Sequence, residues 1–127
     1  MAITVQKFED RDLAIFTAVG ELTFSDQMEA LRSFYEGSPT LNVIWDLRNI
    51  SGHRITADEL RRIIAYIHQY QDKRPGGKTA LVSATPLDFG MSRMSEFYAK
   101  SEGLPWTLRA FQSMEDAETW IVTDGAA

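Results

Sequence analysis

Hydrophobic positions along this chain alternate between two spacings. Residues 13–19, 43–47, 80–83 and 108–111 are short runs dense in Val, Ile, Leu, Ala and Phe, the pattern of strands. Each run is followed by a stretch in which apolar residues recur every three or four positions, over 25–35, 56–70, 86–100 and 113–122. Polar turns separate the segments. Repeated strand–helix units predict a mostly parallel sheet covered by helices.

One more strand precedes these units. Ile3 and Val5 alternate with Thr4 and Gln6, which marks a strand with one buried face. The turn Glu9-Asp10-Arg11-Asp12 is too short for a crossover, so this strand pairs antiparallel with the next and lies at the sheet edge. Gly20 is expected to end the second strand. Phe24, Met28, Leu31 and Tyr35 then form one face of a first helix, stopped by Gly37-Ser38-Pro39. Val43-Ile44-Trp45 is apolar at every position, as a strand buried on both faces requires. A loop over 48–55 is expected next. Thr56-x-x-Glu59 is a capping box opening a second helix with Leu60, Ile63, Ile64 and Ile67 on its stripe. The third helix carries Leu87, Met91, Met94 and Tyr98 at core spacing and stops at Gly103-Leu104-Pro105. The fourth carries Met114, Ala117 and Ile121, and 123–127 are expected to fray. The predicted fold class is α/β: a mixed five-stranded sheet with one antiparallel edge strand and four main helices, in a single domain over 1–127.

Composition narrows the function. With 44% hydrophobic and 24% charged residues, the chain can bury a core and is not a disordered segment. The formal net charge of −5 and scattered Lys and Arg argue against nucleic acid, whose phosphates select clustered cations. Zero cysteines exclude disulfides, thiolate metal sites and a Cys nucleophile. The first residues lack the basic-then-apolar signature of a signal peptide, and no run reaches membrane-span length, so a cytoplasmic location is expected. No cofactor is expected.

Several residue groups invite a chemical reading. Gly77-Lys78-Thr79 resembles the end of a phosphate-binding loop. That motif needs a further Gly where Asp72 stands, and it must leave a strand rather than enter one. His53 and His68, the only histidines, have no carboxylate at metal-ligand spacing. Asp46 follows three apolar residues at the end of a central strand. A structural role is favoured there, with the carboxylate accepting from backbone N–H groups of the next loop. Ser51-Gly52-His53 lacks the nucleophile-elbow pattern, and Gly52 is expected to relieve a positive φ. The third helix is broadly aromatic and Met-rich, which suits core packing first and an adaptable apolar wall second.

In open parallel sheets, ligands bind beyond the carboxyl ends of the strands. The loops on that side here are 20–24, 48–55, 84–88 and 112–113.

Five stretches together resemble a known group. They are Gly20-Glu21-Leu22-Thr23 after the second strand, Trp45-Asp46-Leu47 on the central strand, Ser51-Gly52, Arg109-Ala110-Phe111 on the last strand, and Glu115-Asp116-Ala117-Glu118-Thr119-Trp120-Ile121 on the last helix. Each is degenerate alone; their order and spacing resemble the SpoIIAA-like proteins, small bacterial domains of the STAS and CRAL-TRIO type, over nearly the whole chain. The resemblance implies a β-α superhelix and a binding or regulatory module. In anti-sigma-factor antagonists of the STAS type, a Ser in Asp-Ser-Ser-Gly at a helix start is switched by phosphorylation. The comparable stretch here is Arg54-Ile55-Thr56-Ala57, where that motif is absent and the capping box accounts for Thr56. Members resembling lipid-transfer CRAL-TRIO domains imply an apolar ligand instead.

The expected function is a non-enzymatic regulatory module that binds a protein partner through Ser51, His53, Arg54, Thr56 and Asp58. The alternative is a carrier of a small apolar or lipid-like ligand, held between the first and third helices by Phe24, Met28, Met91 and Met94, with Arg93 at the mouth. A hydrolase or lyase using Asp46 and His53 ranks last, because no nucleophile–base–orienter spacing accompanies them. The open edge strand, or a helix face, suggests a homodimer.

Overall fold

The structure, a computed structural model, describes residues 3–53, 55–104 and 107–123. Five strands run in the order in which they occur in the chain: β1 (Ile3–Phe8), β2 (Leu13–Leu22), β3 (Asn42–His53), β4 (Lys78–Val82) and β5 (Thr107–Phe111). β1 pairs antiparallel with β2, and every other pairing is parallel. The helices are α1 (Phe24–Glu36), α2 (Ala57–His68), α3 (Pro86–Ser101) and α4 (Met114–Val122). The α/β class, the five-stranded mixed sheet with its antiparallel edge strand, and the four helices are therefore as the sequence predicts.

Because β2 to β5 are added in one direction, crossovers of one hand put their connecting helices on one face. α1, α2 and α3 pack there over Phe16, Trp45 and Leu81. α4 follows the last strand and is no crossover. It folds onto the opposite face, where Ala117 and Ile121 cover Leu13, Ile44, Ala80 and Val82. Trp45 stacks on Phe16 at 4.3 Å between ring centroids, and Phe34 meets Phe16 edge-on at 5.3 Å. These aromatics anchor β2 and β3 to α1.

Helix starts follow local chemistry. Thr23, Thr85 and Ser113 each accept from the backbone N–H three residues on, at 3.1, 3.1 and 3.2 Å. At α2 both halves of the capping box form: Glu59 N donates to Thr56 Oγ1 (3.1 Å) and Thr56 N to Glu59 Oε1 (3.0 Å).

The amino ends of the strands are tightly cross-bonded. Arg74, 1% exposed, donates from Nε to Leu41 O (2.9 Å) and from its terminal nitrogens to Tyr35 Oη (3.0 Å), Lys78 O (3.0 Å) and Thr79 Oγ1 (2.8 Å). Burial pulls its pKa down and pushes that of Tyr35 up. Leu41 N donates to Asp12 Oδ1 (2.9 Å), and Lys78 N donates to Asn42 Oδ1 (3.0 Å). Gly77 is required here, because a Cβ would lie 2.1 Å from Leu41 O.

Two expectations about the strands are corrected. Gly20 does not end β2, and 48–53 is not a loop. Both strands continue, with Val19 opposite Asn49 and Leu22 opposite His53, as a two-stranded ribbon beyond the last β3–β4 pair, Asp46 and Val82. Register shifts between Thr17 and Val19 and between Gly20 and Glu21 bend the ribbon. Gly20, at φ +82°, takes the conformation expected of Gly52; Gly52 itself is not in the left-handed region.

The buried face of α3 is also corrected. Asp88, Ser92, Ser95 and Ala99 face inward, one residue out of step with the expected Leu87, Met91, Met94 and Tyr98. Leu87 is 75% exposed, while Met91, Met94 and Tyr98 are half-buried along the α2 side. Small polar residues let α3 approach β4 and β5 closely. Ser83 and Ser92 share a buried hydroxyl bond of 3.1 Å, and Glu96 accepts from Ala110 N (2.5 Å). The second contact covers a backbone donor of edge strand β5.

Candidate functional site

The β2–β3 ribbon and the first turns of α1, α2 and α3 meet at the carboxyl ends of the strands, where open parallel sheets place their ligands. Two features are built there. One is an exposed polar rim and the other is a small cavity behind it.

The rim collects much of the expected partner-binding set. Ser51 is exposed on β3 and His53 is the last residue of that strand. Thr56 is the exposed N-cap of α2, its hydroxyl oxygen occupied by Glu59 N. Asp58 is exposed in the first helical turn and pairs with Arg62 (3.2 Å) and more loosely with Arg61 (3.9 Å). Exposed pairs of this kind contribute little to stability, so Asp58 and both arginines can exchange partners. Arg61 also lies over the Tyr98 ring at 5.6 Å, linking α2 to α3. Arg54 lies outside the described residues.

Asp46 takes the structural role. Arg48 N donates to its Oδ1 (3.2 Å), and the Arg48 guanidinium forks onto both oxygens at 2.9 and 3.0 Å. Those hydrogen bonds hold the Asp46 carboxyl below the usual carboxylate range, against the opposing effect of burial. Among the described residues, no group of three His, Cys, Asp or Glu is placed to hold a metal. No helix among them is long and apolar enough to cross a membrane.

The cavity, of about 60 Å³, has two kinds of wall. Leu22, Trp45, Ile50, Ile55, Leu60 and Leu81 form the apolar part. Gln27 from α1 and Asp88, Ser92 and Ser95 from α3 form the polar part. Gln27 Oε1 is buried without a hydrogen-bond partner. Asp88 accepts from Thr85 Oγ1 (2.8 Å), and Ser95 Oγ donates to Met91 O (3.2 Å).

The residues expected to hold a lipid-like ligand are not gathered in this cavity. Met91 alone of the five lines it. Phe24, Met28 and Met94 pack against the core, and Arg93 is exposed and pairs with Glu96 at 3.5 Å. A volume of about 60 Å³ is also far below the roughly 300 Å³ at which ligand pockets begin.

Gln27, Asp88, Ser92 and Ser95 escape a reading that equates apolar spacing with burial. Asp88, Ser92, Ser95 and Ala99 recur at the same helical spacing as their apolar neighbours. That parallel polar stripe was the available signal.

No protein-family model matches the chain, and no curated protein matches it. Solved structures do. An uncharacterised protein of the DUF3478 family from Shewanella loihica PV-4, with a SpoIIAA-like fold, is 18% identical; the match covers 94% of this chain and 92% of that one, with a TM-score of 0.59. The anti-sigma factor antagonist SpoIIAA in its unphosphorylated form is 18% identical, over 94% and 96% of the two chains, with a TM-score of 0.54. The Bacillus cell fate determinant SpoIIAA in its phosphorylated form is 17% identical, over 94% and 99%, also with a TM-score of 0.54. This chain has the SpoIIAA-like fold.

Proposed function

We propose that this chain is a non-enzymatic regulatory module that binds a protein partner through Ser51, His53, Arg54, Thr56 and Asp58. The observation that carries the proposal is the likeness to SpoIIAA, an anti-sigma factor antagonist, over nearly the full length of both chains. Fold alone does not fix function, so the rim supplies the local support. Ser51, Thr56 and Asp58 are exposed, polar and brought to one end of the sheet by β3 and α2. Arg61 and Arg62 add cations whose present bonds to Asp58 are weak and exchangeable. The partner surface would be polar and bear both signs of charge.

Thr56 serves this module as a helix cap. Its Oγ accepts from Glu59 N, and a phosphate there would sit beside the Glu59 carboxylate that closes the capping box. Like-charge repulsion would open the box.

Quantitative affinity capture, comparing the wild type with a Ser51→Arg/Asp58→Arg variant, tests the proposal. The proposed rim predicts that a protein captured by the wild type is lost from the variant, whose melting temperature stays the same. Equal capture by both would rule this surface out.

A further inference from the structure

The two edges of the sheet are finished differently. At β5, the Glu96 carboxylate accepts from Ala110 N and occupies an outward backbone donor. At β1, the opposite edge, Lys7 Nζ donates away from the strand to Ser38 O (2.8 Å), and among the described residues no side chain bonds to the strand's backbone. An unpaired edge is a template for another strand. Val5, in the middle of β1, is also 46% exposed. It pairs with Phe16 and so lies on the face that α1 covers. A groove of about 300 Å³ lies there between β1 and α1. Ile3, Val5, Ala30 and Phe34 give it apolar walls, and it carries one charge of each sign, Lys7 and Glu29.

Direction and charge select the occupant. β1 starts beside the carboxyl end of β2, where α1 also starts, so the strand and the helix run the same way. Lys7 lies over the Phe34 ring at 5.9 Å. Glu29 precedes Phe34 by five residues, about 7 Å back along the helix toward Ile3. It is exposed and has no ion-pair partner among the described residues. A second β1 laid antiparallel about Val5 sets Lys7 of each copy opposite Ile3 of the other, on the face that carries that copy's Glu29. Symmetry makes this ion pair twice and brings Val5 against Val5 on the axis. On the other face, Thr4 meets Gln6. Lys on an edge strand ordinarily discourages pairing. A register centred on Lys7 would put the two ammonium groups face to face, so the charges favour the register centred on Val5. Lys7 can keep its bond to Ser38 O, because an ammonium has three donors.

We propose that the outer edge of β1 is the interface of a two-fold dimer of this chain, in which a second copy pairs antiparallel about Val5 and Lys7 of each copy meets Glu29 of the other. The interface uses none of the rim residues, and neither proposal needs the other.

Sedimentation velocity of the intact chain, from low micromolar to near-millimolar concentration, tests it. The expected result is a monomer–dimer equilibrium within that range. Val5→Lys sets two cations against each other on the axis and should leave a monomer throughout. Lys7→Glu and Glu29→Lys should each weaken the dimer by about tenfold or more. The double variant Lys7→Glu/Glu29→Lys should return it to within about threefold of the wild type. All three positions are exposed, so the circular dichroism of each variant should match the wild type. A wild type that stays monomeric at every concentration would overturn the proposal without recourse to any variant. So would a dimer that survives Val5→Lys, or single charge reversals that the double variant does not rescue.

Discussion

At the amino ends of the strands, Arg74 donates to Leu41 O, Lys78 O, Thr79 Oγ1 and Tyr35 Oη. At the carboxyl ends, Gln27 Oε1 is buried and accepts from no group. The first end joins α1, the residue before β3, β4 and the segment before β4 through one buried guanidinium, and Asp12 and Asn42 add further cross-links. The second end has a cavity, a ribbon paired on one side by β2, and a helix seated on Ser92 and Ser95 rather than on leucines. The contrast assigns different work to the two ends. Hydrogen-bond cross-links are concentrated where no ligand is expected, which leaves the end facing the strand-to-helix connections free to carry imperfect packing and exposed polar groups.

The largest effects should come from the cross-bonded end. Arg74→Met leaves several buried acceptors without donors and should cost about 3–5 kcal/mol. At a few degrees per kcal/mol for a domain of this size, the melting temperature should fall by more than about 10 °C in calorimetry. Gly77→Ala forces a Cβ onto Leu41 O, 2.1 Å away, so β3 and β4 must separate. About 2–4 kcal/mol is expected, read from denaturant midpoints. A loss below about 0.5 kcal/mol for either variant would break the contrast.

Effects at the other end should be smaller. Thr56→Ala removes the hydroxyl that accepts from Glu59 N and should cost about 1 kcal/mol, with the sheet unchanged by circular dichroism. Asp46→Asn removes a carboxyl whose folded-state pKa is depressed by Arg48. A depressed pKa adds stability above the unfolded carboxyl value of about 3.9, and that stability disappears as pH falls through the folded value. The wild type should therefore exceed Asp46→Asn by up to about 1 kcal/mol at neutral pH, since Arg48 is partly exposed. The difference should shrink on acidification below about pH 4. A difference that grows on acidification would show that the pair does not act this way.

The sequence made the alternation of strands and helices legible because each element repeats its own period over several residues. Thr56 and Glu59 announced the start of α2 through side-chain chemistry at fixed spacing, and both predicted bonds form. The ribbon was not legible. Beyond Asp46, β3 leaves β4 and exposes Arg48, Asn49 and Ser51, so the apolar run that marks a central strand vanishes although pairing with β2 continues. α3 misled for a related reason. Its apolar stripe lies beside α2, and close contact with β4 and β5 selected the small residues one position further on. Arg74, next to Lys73 in the chain, carries no local mark of burial. Its burial depends on acceptors at Leu41 and Lys78 that only the folded chain brings together. Of the candidate site, Ser51, Thr56 and Asp58 could be named in advance because exposed polar residues near a helix start are visible locally. Gln27 could not, because its missing partner is a property of three converging helices.

The most direct test of the contrast between the ends is one pair of equilibrium unfolding curves, for Arg74→Met and Gln27→Leu in the absence of added ligand. Arg74→Met should be strongly destabilised. Gln27→Leu replaces a buried acceptor that has no donor, so it should match the wild type or exceed it by about 0.5–1 kcal/mol. Destabilisation of Gln27→Leu by more than about 1 kcal/mol would show that Gln27 holds the carboxyl end together, and would contradict the division between a cross-bonded end and an open one.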